Sequence, residues 1–264
     1  MLMPLTEHTI LTQCPLCHGQ KQKLWHRKND YDVVRCLDCG FIFTRDYPSA
    51  GFLRRFYEPL FAGPSGQFKP AGGVGRPLKY WLFTRWIRRF YPKSAVIRTL
   101  ELGCGQGDLL RAVQRDPRFE ARGLDYADAP LAHARSLGLR ADKGDIQSRR
   151  FDDASFDLVV ALHVLEHVHD LDATLGEIHR VLRPDGLLFA VCPCVTHIKA
   201  RWAGERWKYL GPPGHLWYFS PATLSRFLEK AGFDILRASC FYHRAHVRVL
   251  ARKRPGAVGP RPLV

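Results

Sequence analysis

Apolar runs of strand length alternate with helical patterns along much of the chain. The runs that end at Leu102 and Leu162 are apolar enough to be strands buried on both faces of a sheet. Between such runs, leucine and isoleucine recur at helical spacing, as they do over residues 171–182. This alternation predicts an α/β protein with a doubly wound, Rossmann-like parallel sheet. Two further strand patterns, 233–241 and 247–251, would pair antiparallel at its edge and bring the sheet to seven strands.

Three glycines follow the first of these strands at every second position. They are Gly103, Gly105 and Gly107, and a helical pattern begins directly after them. A glycine turn between a buried strand and a helix lets backbone N–H groups approach a ligand closely. The dinucleotide-binding fingerprint needs a glycine at position 108, where this chain has Asp108. Glu101, just before the turn, would repel a pyrophosphate and favours a ribose hydroxyl or a cationic ligand.

This stretch resembles motif I of the class I S-adenosylmethionine-dependent methyltransferases. The resemblance implies that Glu101 and the three glycines contact the cofactor, with the glycine turn around its amino-acid end. Asp125 ends the next strand pattern, 18 residues after Gly107, where a carboxylate can accept both ribose hydroxyls. The family has its ribose-binding acid at this position, which implies that Tyr126 lies next to the adenine. The alternative for Asp125 is an ordinary helix cap.

The resemblance continues into the next two strand ends. It implies that Asp145 reaches the adenine amino group and that Ile146 packs on the adenine ring. It also implies that His163 lines the cofactor pocket and that His167 faces the methyl-transfer centre as an acid–base group. His215 resembles a histidine that the family carries before a Phe-Ser-Pro helix cap, and it is the second catalytic candidate. The alternatives are a surface-turn acid for Asp145 and a structural helix start at 163–167.

Two Cys-x-x-Cys pairs stand near the N-terminus. They consist of Cys14 with Cys17 and Cys36 with Cys39, separated by eighteen residues that include two short strand patterns. Two such pairs can place four thiolates tetrahedrally around Zn²⁺, which predicts a zinc ribbon. Four protein ligands leave no open coordination position, so the metal would be structural. A redox-active dithiol pair or a rubredoxin-type iron site is the alternative.

A basic, aromatic segment lies between the cysteines and the glycine turn. Leu78, Leu82, Trp86 and Phe90 are spaced four apart with Phe83 and Ile87 beside them, which predicts a helix that packs this face on the sheet. Its lysine and arginine residues would then form a solvated face. A surface for an anionic substrate, or a helix at a membrane interface, is the functional alternative. A Gly- and Pro-rich loop is predicted before this helix, over residues 63–77.

The chain is basic, with 40 Lys and Arg against 25 Asp and Glu and a formal net charge of +15. This balance suits a polyanionic partner such as RNA, a nucleotide-linked substrate or an anionic membrane, although an arginine-rich proteome would also produce it. No run reaches the length of a transmembrane helix, and the first residues lack the pattern of a secretory signal. A cytoplasmic location is therefore expected.

The patterns divide the chain into four predicted parts. These are a zinc-ribbon-like module (1–45), a helical cap or linker (46–95), a methyltransferase domain (96–254) and a disordered tail (255–264). The expected function is transfer of a methyl group from S-adenosylmethionine to oxygen or carbon of a small acceptor of secondary-metabolite or cell-envelope biosynthesis, and the net charge favours an anionic one. The alternatives are a ribosomal RNA base methyltransferase and a non-catalytic zinc-ribbon adaptor. Against the RNA enzyme, the amine-methylation motif of Asn or Asp followed by Pro-Pro and an aromatic residue is missing after the fourth strand pattern.

Overall fold

The computed structural model describes residues 8–61, 75–240 and 245–256. The predicted loop (63–77) and the predicted tail (255–264) lie outside the described residues, except for 75–77 and 255–256. The strands are β1 (His8–Ile10), β2 (Gln22–Lys28), β3 (Tyr31–Cys36), β4 (Ile42–Thr44), β5 (Asp46–Pro48), β6 (Ile97–Leu102), β7 (Phe119–Asp125), β8 (Ala141–Lys143), β9 (Phe156–Leu162), β10 (Leu182–Pro193), β11 (Trp217–Tyr218), β12 (Phe233–Cys240) and β13 (His246–Lys253). The α-helices are α1 (Ala50–Phe61), α2 (Gly75–Ile87), α3 (Asp108–Val113), α4 (Asp128–Ser136), α5 (Ile146–Arg149), α6 (Leu171–Val181), α7 (Ile198–Ala203) and α8 (Pro221–Lys230).

The central sheet has seven strands in the order β12-β13-β10-β9-β6-β7-β8. Strands β8, β7, β6, β9 and β10 run parallel, and β13 pairs antiparallel with both β10 and β12. This is the predicted doubly wound sheet with its closing antiparallel pair. The sequence order reverses between β6 and β9, so the carboxyl ends of these two neighbouring strands flank a crevice. Ligands of open α/β sheets bind at such a switch point.

A second sheet joins the N-terminal segment to the segment after β10. Its strand order is β11-β4-β3-β2, and β11 pairs antiparallel with β4 through Trp217 opposite Phe43 and Tyr218 opposite Ile42. The cysteine-rich hairpin therefore takes its fourth strand from residues more than 170 positions further along the chain. A short hairpin alone is only marginally stable. Pairing with β11 therefore stabilises the N-terminal sheet.

Phe41 lies at the centre of the contact between the two sheets. Its side chain is fully buried, and its ring centroid lies 4.9 Å from that of Phe227 on α8 and 6.2 Å from that of Trp217. The same hydrophobic cluster contains Cys14 from the N-terminal module and Leu100 from β6. The N-terminal module and the central sheet consequently share one core.

Helix α2 packs on the sheet through only part of the predicted apolar face. Thr84 and Ile87 are buried, and Phe83 contacts Phe189 of β10 with 4.9 Å between ring centroids. The expected row is wrong at Leu78 and Leu82, which are 57% and 54% exposed. The helix carries apolar residues on two faces, and aromatic packing against β10 selects the face of Phe83.

No helix among the described residues is long and apolar enough to cross a membrane.

A Phe41→Ala substitution tests whether the core is shared. Removing a buried phenylalanine costs roughly 3–5 kcal/mol, and here the loss should reach both sheets. We expect backbone amides of β3 and of β9 to lose protection together in hydrogen-exchange mass spectrometry, at one denaturant midpoint. Leu24→Ala, at a 53% exposed position of β2, is the control and should leave that midpoint almost unchanged. Separate midpoints for the two strands would show that the modules are independent.

Candidate functional site

The glycine turn joins β6 to α3 in a left-handed backbone conformation. Gly103 has φ +63°, and a Cβ placed on it would lie 2.6 Å from Cγ2 of Val164, in the loop after β9. Gly105 has φ +52°, and a Cβ there would meet no atom within 4 Å. Gly107, also at positive φ, is the N-cap of α3. The turn thus packs tightly against the loop after β9 at Gly103 and leaves open space above Gly105, where a ligand can approach the backbone.

Asp125 lies at the carboxyl end of β7 and is tied to the glycine turn. One carboxylate oxygen accepts a hydrogen bond from the Gly105 N–H at 2.7 Å, and the other accepts one from the Ala127 N–H at 2.9 Å. Each oxygen keeps a lone pair for a further donor. The carboxylate is therefore held beside the open space over Gly105 and can accept further hydrogen bonds there.

Glu101 is a buried acid beneath the same turn. It is 4% exposed, and its Oε2 has no hydrogen-bond partner among the described residues. Burial raises the pKa of this carboxyl well above its usual range, and the nearby charges of Asp125 and Asp108 add to the rise. A buried acid without a partner, next to two other carboxylates, is stabilised by a cationic ligand. The ammonium and sulfonium charges of S-adenosylmethionine fit this requirement.

Tyr126 and Asp145 meet at the outer edge of the crevice. The Tyr126 hydroxyl donates to Oδ2 of Asp145, whose Oδ1 accepts from the Ser148 N–H at 2.7 Å and caps α5. Burial opposes the charge of Asp145, but these hydrogen bonds lower its pKa below its usual range. Asp145 therefore caps α5 and lies at the rim of the crevice. The Ile146 side chain is 2% exposed and lies mainly in the core, so it offers an adenine ring little surface.

The loop after β9 carries two histidines around a buried glutamate. Glu166 is 1% exposed, and its Oε1 lies 3.2 Å from Nδ1 of His163. Burial favours the neutral acid, but the hydrogen bond from His163 and the charges of the surrounding histidines bring the pKa of Glu166 below its usual range. The second oxygen, Oε2, has no hydrogen-bond partner among the residues that the structure describes. The site thus holds a buried carboxylate beside the Cys192 side chain.

His167 is oriented by two groups from distant segments. Its Nδ1 lies 2.8 Å from the Gly214 carbonyl oxygen and 2.9 Å from the hydroxyl of Tyr57. The Tyr57 hydroxyl itself donates to the Gly214 carbonyl at 2.6 Å. Because a carbonyl oxygen only accepts, His167 carries its proton on Nδ1 and keeps a lone pair on Nε2. Tyr57, on α1, is a site residue that the sequence indicates only weakly.

His215 packs edge-on against His167, with 4.5 Å between ring centroids. Its Nδ1 donates to the Tyr209 carbonyl oxygen at 2.6 Å, so Nε2 of this ring also carries a lone pair. Burial lowers the pKa of His215 to about 4, and the neighbouring His167 contributes to the shift. The structure thus brings the two predicted catalytic histidines together, and both imidazoles offer acceptors.

These side chains form one polar cluster at the carboxyl ends of β9 and β10. One ligand atom each from Glu166, His167 and His215 lie within 4.8 Å of one another, a set that can share a proton or hold a divalent cation. His163 lies at the edge of the cluster, where its ring meets that of His246 at 4.5 Å between centroids. His246 comes from β13, and no feature of the sequence indicates its position in the cluster.

The four N-terminal cysteines form a second, separate cluster. Their thiol sulfurs all lie within 4.8 Å of one another, and Sγ–Sγ distances of 3.6 Å join Cys14 to Cys39 and Cys17 to Cys36. Tetrahedral zinc with Zn–S bonds of about 2.3 Å separates its sulfur ligands by about 3.8 Å. The donor set and its spacing therefore fit Zn²⁺.

Comparison with known proteins agrees with this geometry. Residues 78–238 match a family described as a methyltransferase domain. A probable S-adenosylmethionine-dependent methyltransferase of Mycolicibacterium smegmatis is 33% identical over 187 residues, 68% of this chain and 69% of that protein. A ubiquinone biosynthesis O-methyltransferase of Agrobacterium fabrum is 28% identical over 204 residues, 68% of this chain and 79% of that protein. Among solved structures, a possible histamine N-methyltransferase of Thermotoga maritima aligns with a TM-score of 0.53 and 19% identity, over 77% of this chain and 98% of that one, and supports the fold.

A Glu101→Gln substitution should separate folding from ligand binding. Above the unfolded value of 4.5, the unfolded chain releases the Glu101 proton while the folded chain retains it. Stability is therefore lost as pH rises toward the elevated folded pKa. The glutamine variant should melt at a higher temperature than the unliganded parent at pH 8, with a smaller difference at pH 5. By calorimetry it should bind S-adenosylmethionine more weakly.

Glu120→Gln is the matched control, because Glu120 is exposed on the neighbouring β7 and pairs only loosely with Arg98 at 3.8 Å. It should change neither the melting temperature nor the affinity. A Glu101 variant with full affinity for S-adenosylmethionine would show that this acid does not contact the cofactor's charges.

Proposed function

Because this chain belongs to the S-adenosylmethionine-dependent methyltransferase family, we propose that it methylates an oxygen of a small acceptor that carries an ionisable hydroxyl group. The observation that supports this proposal most directly is the polar cluster of Tyr57, Glu166, His167 and His215. Such a set of acceptors suits a nucleophile that must lose a proton during attack. An acidic C–H group of an acceptor would meet the same requirement, so carbon methylation is the second candidate.

In the proposed reaction, the acceptor oxygen attacks the methyl carbon of the sulfonium. The new O–C bond forms as the methyl–sulfur bond breaks, and the electron pair of that bond remains on sulfur, which leaves as a neutral thioether. The acceptor proton passes to Nε2 of His167. Tyr57 and the Gly214 carbonyl hold the Nδ1–H of that ring and so keep its lone pair on Nε2. Positioning of acceptor and methyl group supplies much of the remaining acceleration.

Glu166 and His215 support this proton transfer. The Glu166 carboxylate is buried and charged, so it stabilises the positive charge that His167 gains. The pKa of His215, at about 4, keeps that ring neutral at physiological pH and available to accept a hydrogen bond from the acceptor. Glu166 is thus charged and His215 is neutral before an acceptor binds.

We assign the cofactor seat to the predicted residues around the glycine turn. Glu101 would face the positive charges, the backbone of Gly103, Gly105 and Gly107 would contact the amino-acid end, and Asp125 would accept the ribose hydroxyls. The open space above Gly105 and the fixed Asp125 carboxylate support this arrangement. Tyr126 and Asp145 remain the proposed adenine contacts, Ile146 a proposed contact that burial limits to a small part of its side chain, and His163 the proposed wall of the pocket.

The acceptor is proposed to be a phenol or catechol. The relative from Agrobacterium fabrum is named an O-methyltransferase of ubiquinone biosynthesis, and a phenolic hydroxyl is acidic enough for an imidazole base. An anionic acceptor and a ribosomal RNA acceptor remain predictions from the charge of the chain.

A His167→Gln substitution tests the proposed base. It should lower kcat by roughly 10²–10⁴-fold. Affinity for S-adenosylmethionine should not change, because the cofactor seat lies at β6 and β7. The measurement is S-adenosylhomocysteine formation with a panel of phenols and catechols, alongside calorimetry with the cofactor. His133→Gln on α4 is the control and should behave like the parent enzyme. A His167 variant with full turnover would exclude the base, and turnover that depends on an added divalent cation would identify the cluster as a metal site.

We also propose that the four cysteines bind a structural zinc ion. The ion would cross-link the turn before β2 to the turn after β3 and so stabilise β4, which pairs with β11. Because all four coordination positions would be filled by protein, the ion would have no direct role in methyl transfer.

A Cys36→Ser substitution tests this assignment. The purified parent protein should contain one zinc per chain by elemental analysis, and the variant should contain little or none. The variant should melt at a lower temperature and lose turnover, because β11 is continuous with His215. Cys240→Ser, outside the N-terminal cluster, is the control with full zinc content. Iron, or a disulfide in place of metal, would refute the proposal.

A further inference from the structure

Helix α2 presents an apolar ridge to solvent. The ridge consists of Leu78, Trp81 and Leu82, which are 57%, 47% and 54% exposed. Their spacing places them on one face of the helix, Arg85 continues that face toward its C-terminal end, and Arg89 follows in the 3₁₀ turn after the helix. Clustered apolar side chains of this size are unusual on a surface and indicate an interaction site.

A basic cavity lies directly beyond the ridge. It has a volume of about 490 Å³ and is lined by Arg85, Arg88, Arg89, Tyr91, Lys93 and Arg118. Five of these six residues are cations, and a cavity of this size can hold an anionic group of the dimensions of a phosphodiester.

Few acids neutralise this cavity. Arg88 pairs with Asp116 at 3.1 Å, and the Arg118 guanidinium donates to the carbonyl oxygen of Pro92. Among the described residues, no carboxylate lies within ion-pair distance of Arg85, Arg89 or Lys93. Arg85 instead lies over the Trp81 ring, 4.8 Å from its centroid, which links the cavity to the apolar ridge. The uncompensated charge favours an anionic partner.

The combination of the two features narrows the kind of partner. A second copy of this chain, docked symmetrically, would bring the cations of one basic cavity close to those of the other. Single-stranded RNA would use the cations and Trp81, but it offers no apolar phase for Leu78 and Leu82. An anionic lipid bilayer provides phosphate groups and, immediately beneath them, acyl chains. Exposed tryptophan and leucine side chains beside arginines can occupy the boundary between headgroups and acyl chains.

We propose that α2 and the basic cavity form a binding surface for anionic membranes. Lipid phosphates enter the cavity beside Arg85, Arg89 and Lys93, while the apolar ridge inserts between headgroups. The helix lies parallel to the membrane, and the contact is peripheral. The surface lies outside the proposed methyl-transfer site, so membrane binding needs neither S-adenosylmethionine nor a methyl acceptor.

Flotation of the full chain with lipid vesicles tests this proposal. One set of vesicles contains phosphatidylcholine alone, and the other contains phosphatidylcholine with phosphatidylglycerol. The parent protein should float with the anionic vesicles at physiological salt and stay behind with the neutral ones. Each cation at an anionic surface contributes about a fivefold factor in affinity, so Arg85→Ala with Arg89→Ala should weaken binding about 30-fold.

The apolar ridge has its own variant and matched controls. Trp81→Ala with Leu82→Ser should weaken vesicle binding at least about fivefold while retaining its salt dependence. Trp202→Ala, at an 86% exposed tryptophan on α7, and Arg226→Ala with Arg237→Ala, at exposed arginines elsewhere, should bind like the parent. Circular dichroism would confirm that each variant is folded.

Three outcomes would overturn the proposal. The first is a parent protein that ignores anionic vesicles. The second is a ridge variant that binds as well as the parent, because the attraction would then be a general effect of net charge. The third is tighter binding to a single-stranded RNA oligonucleotide that depends on the same arginines, which would identify nucleic acid as the partner.

Discussion

Two hydrogen bonds of one peptide segment hold the N-terminal sheet against the proposed acceptor site. The Leu216 N–H donates to the Glu166 carbonyl oxygen at 2.9 Å, and the Leu216 carbonyl accepts from the Thr44 N–H at 2.9 Å. Leu216 is fully buried, so neither bond can be replaced by water without opening the core. On one side of Leu216 lies the loop after β9, and on the other lies strand β4. The distance between these two parts is therefore fixed by backbone geometry, and His215 is positioned by the same segment.

Two buried glutamates in one crevice have pKa values that are shifted in opposite directions. Glu101 has neighbouring carboxylates and an unpaired oxygen, and its pKa is raised. Glu166 is as deeply buried, but histidines surround it and its pKa is lowered. Burial favours the neutral acid in both cases, so the neighbouring charges decide the outcome. The first environment suits a ligand that brings positive charge, and the second suits a reaction that creates positive charge on an imidazole.

The sequence predicts the central sheet and the glycine turn beside Asp125 well, because their signals are local. Apolar runs define the strands, and the glycine turn and Asp125 lie within 25 residues of one another along the chain. The N-terminal cysteine cluster is equally local. In contrast, β11 has only two residues and no periodic pattern of its own, so its pairing with β4 cannot be read from the sequence. The burial of Leu78 and Leu82 on α2 was also mispredicted, because both faces of this helix are apolar and contact with Phe189 buries only one of them.

The proposed acceptor site is non-local, and this has a functional consequence. The Tyr57 hydroxyl and the His167 ring meet across 110 residues of chain, and Gly214 lies 157 residues from Tyr57. No short segment can form this geometry before the shared core has packed. The cofactor seat depends on one strand–turn–helix unit and its neighbouring strand, whereas the acceptor groups are brought together by three separate segments. Changes in the segment around β11 can therefore alter the acceptor pocket without disturbing the cofactor seat, so acceptor specificity can diverge among relatives that retain the same glycine turn.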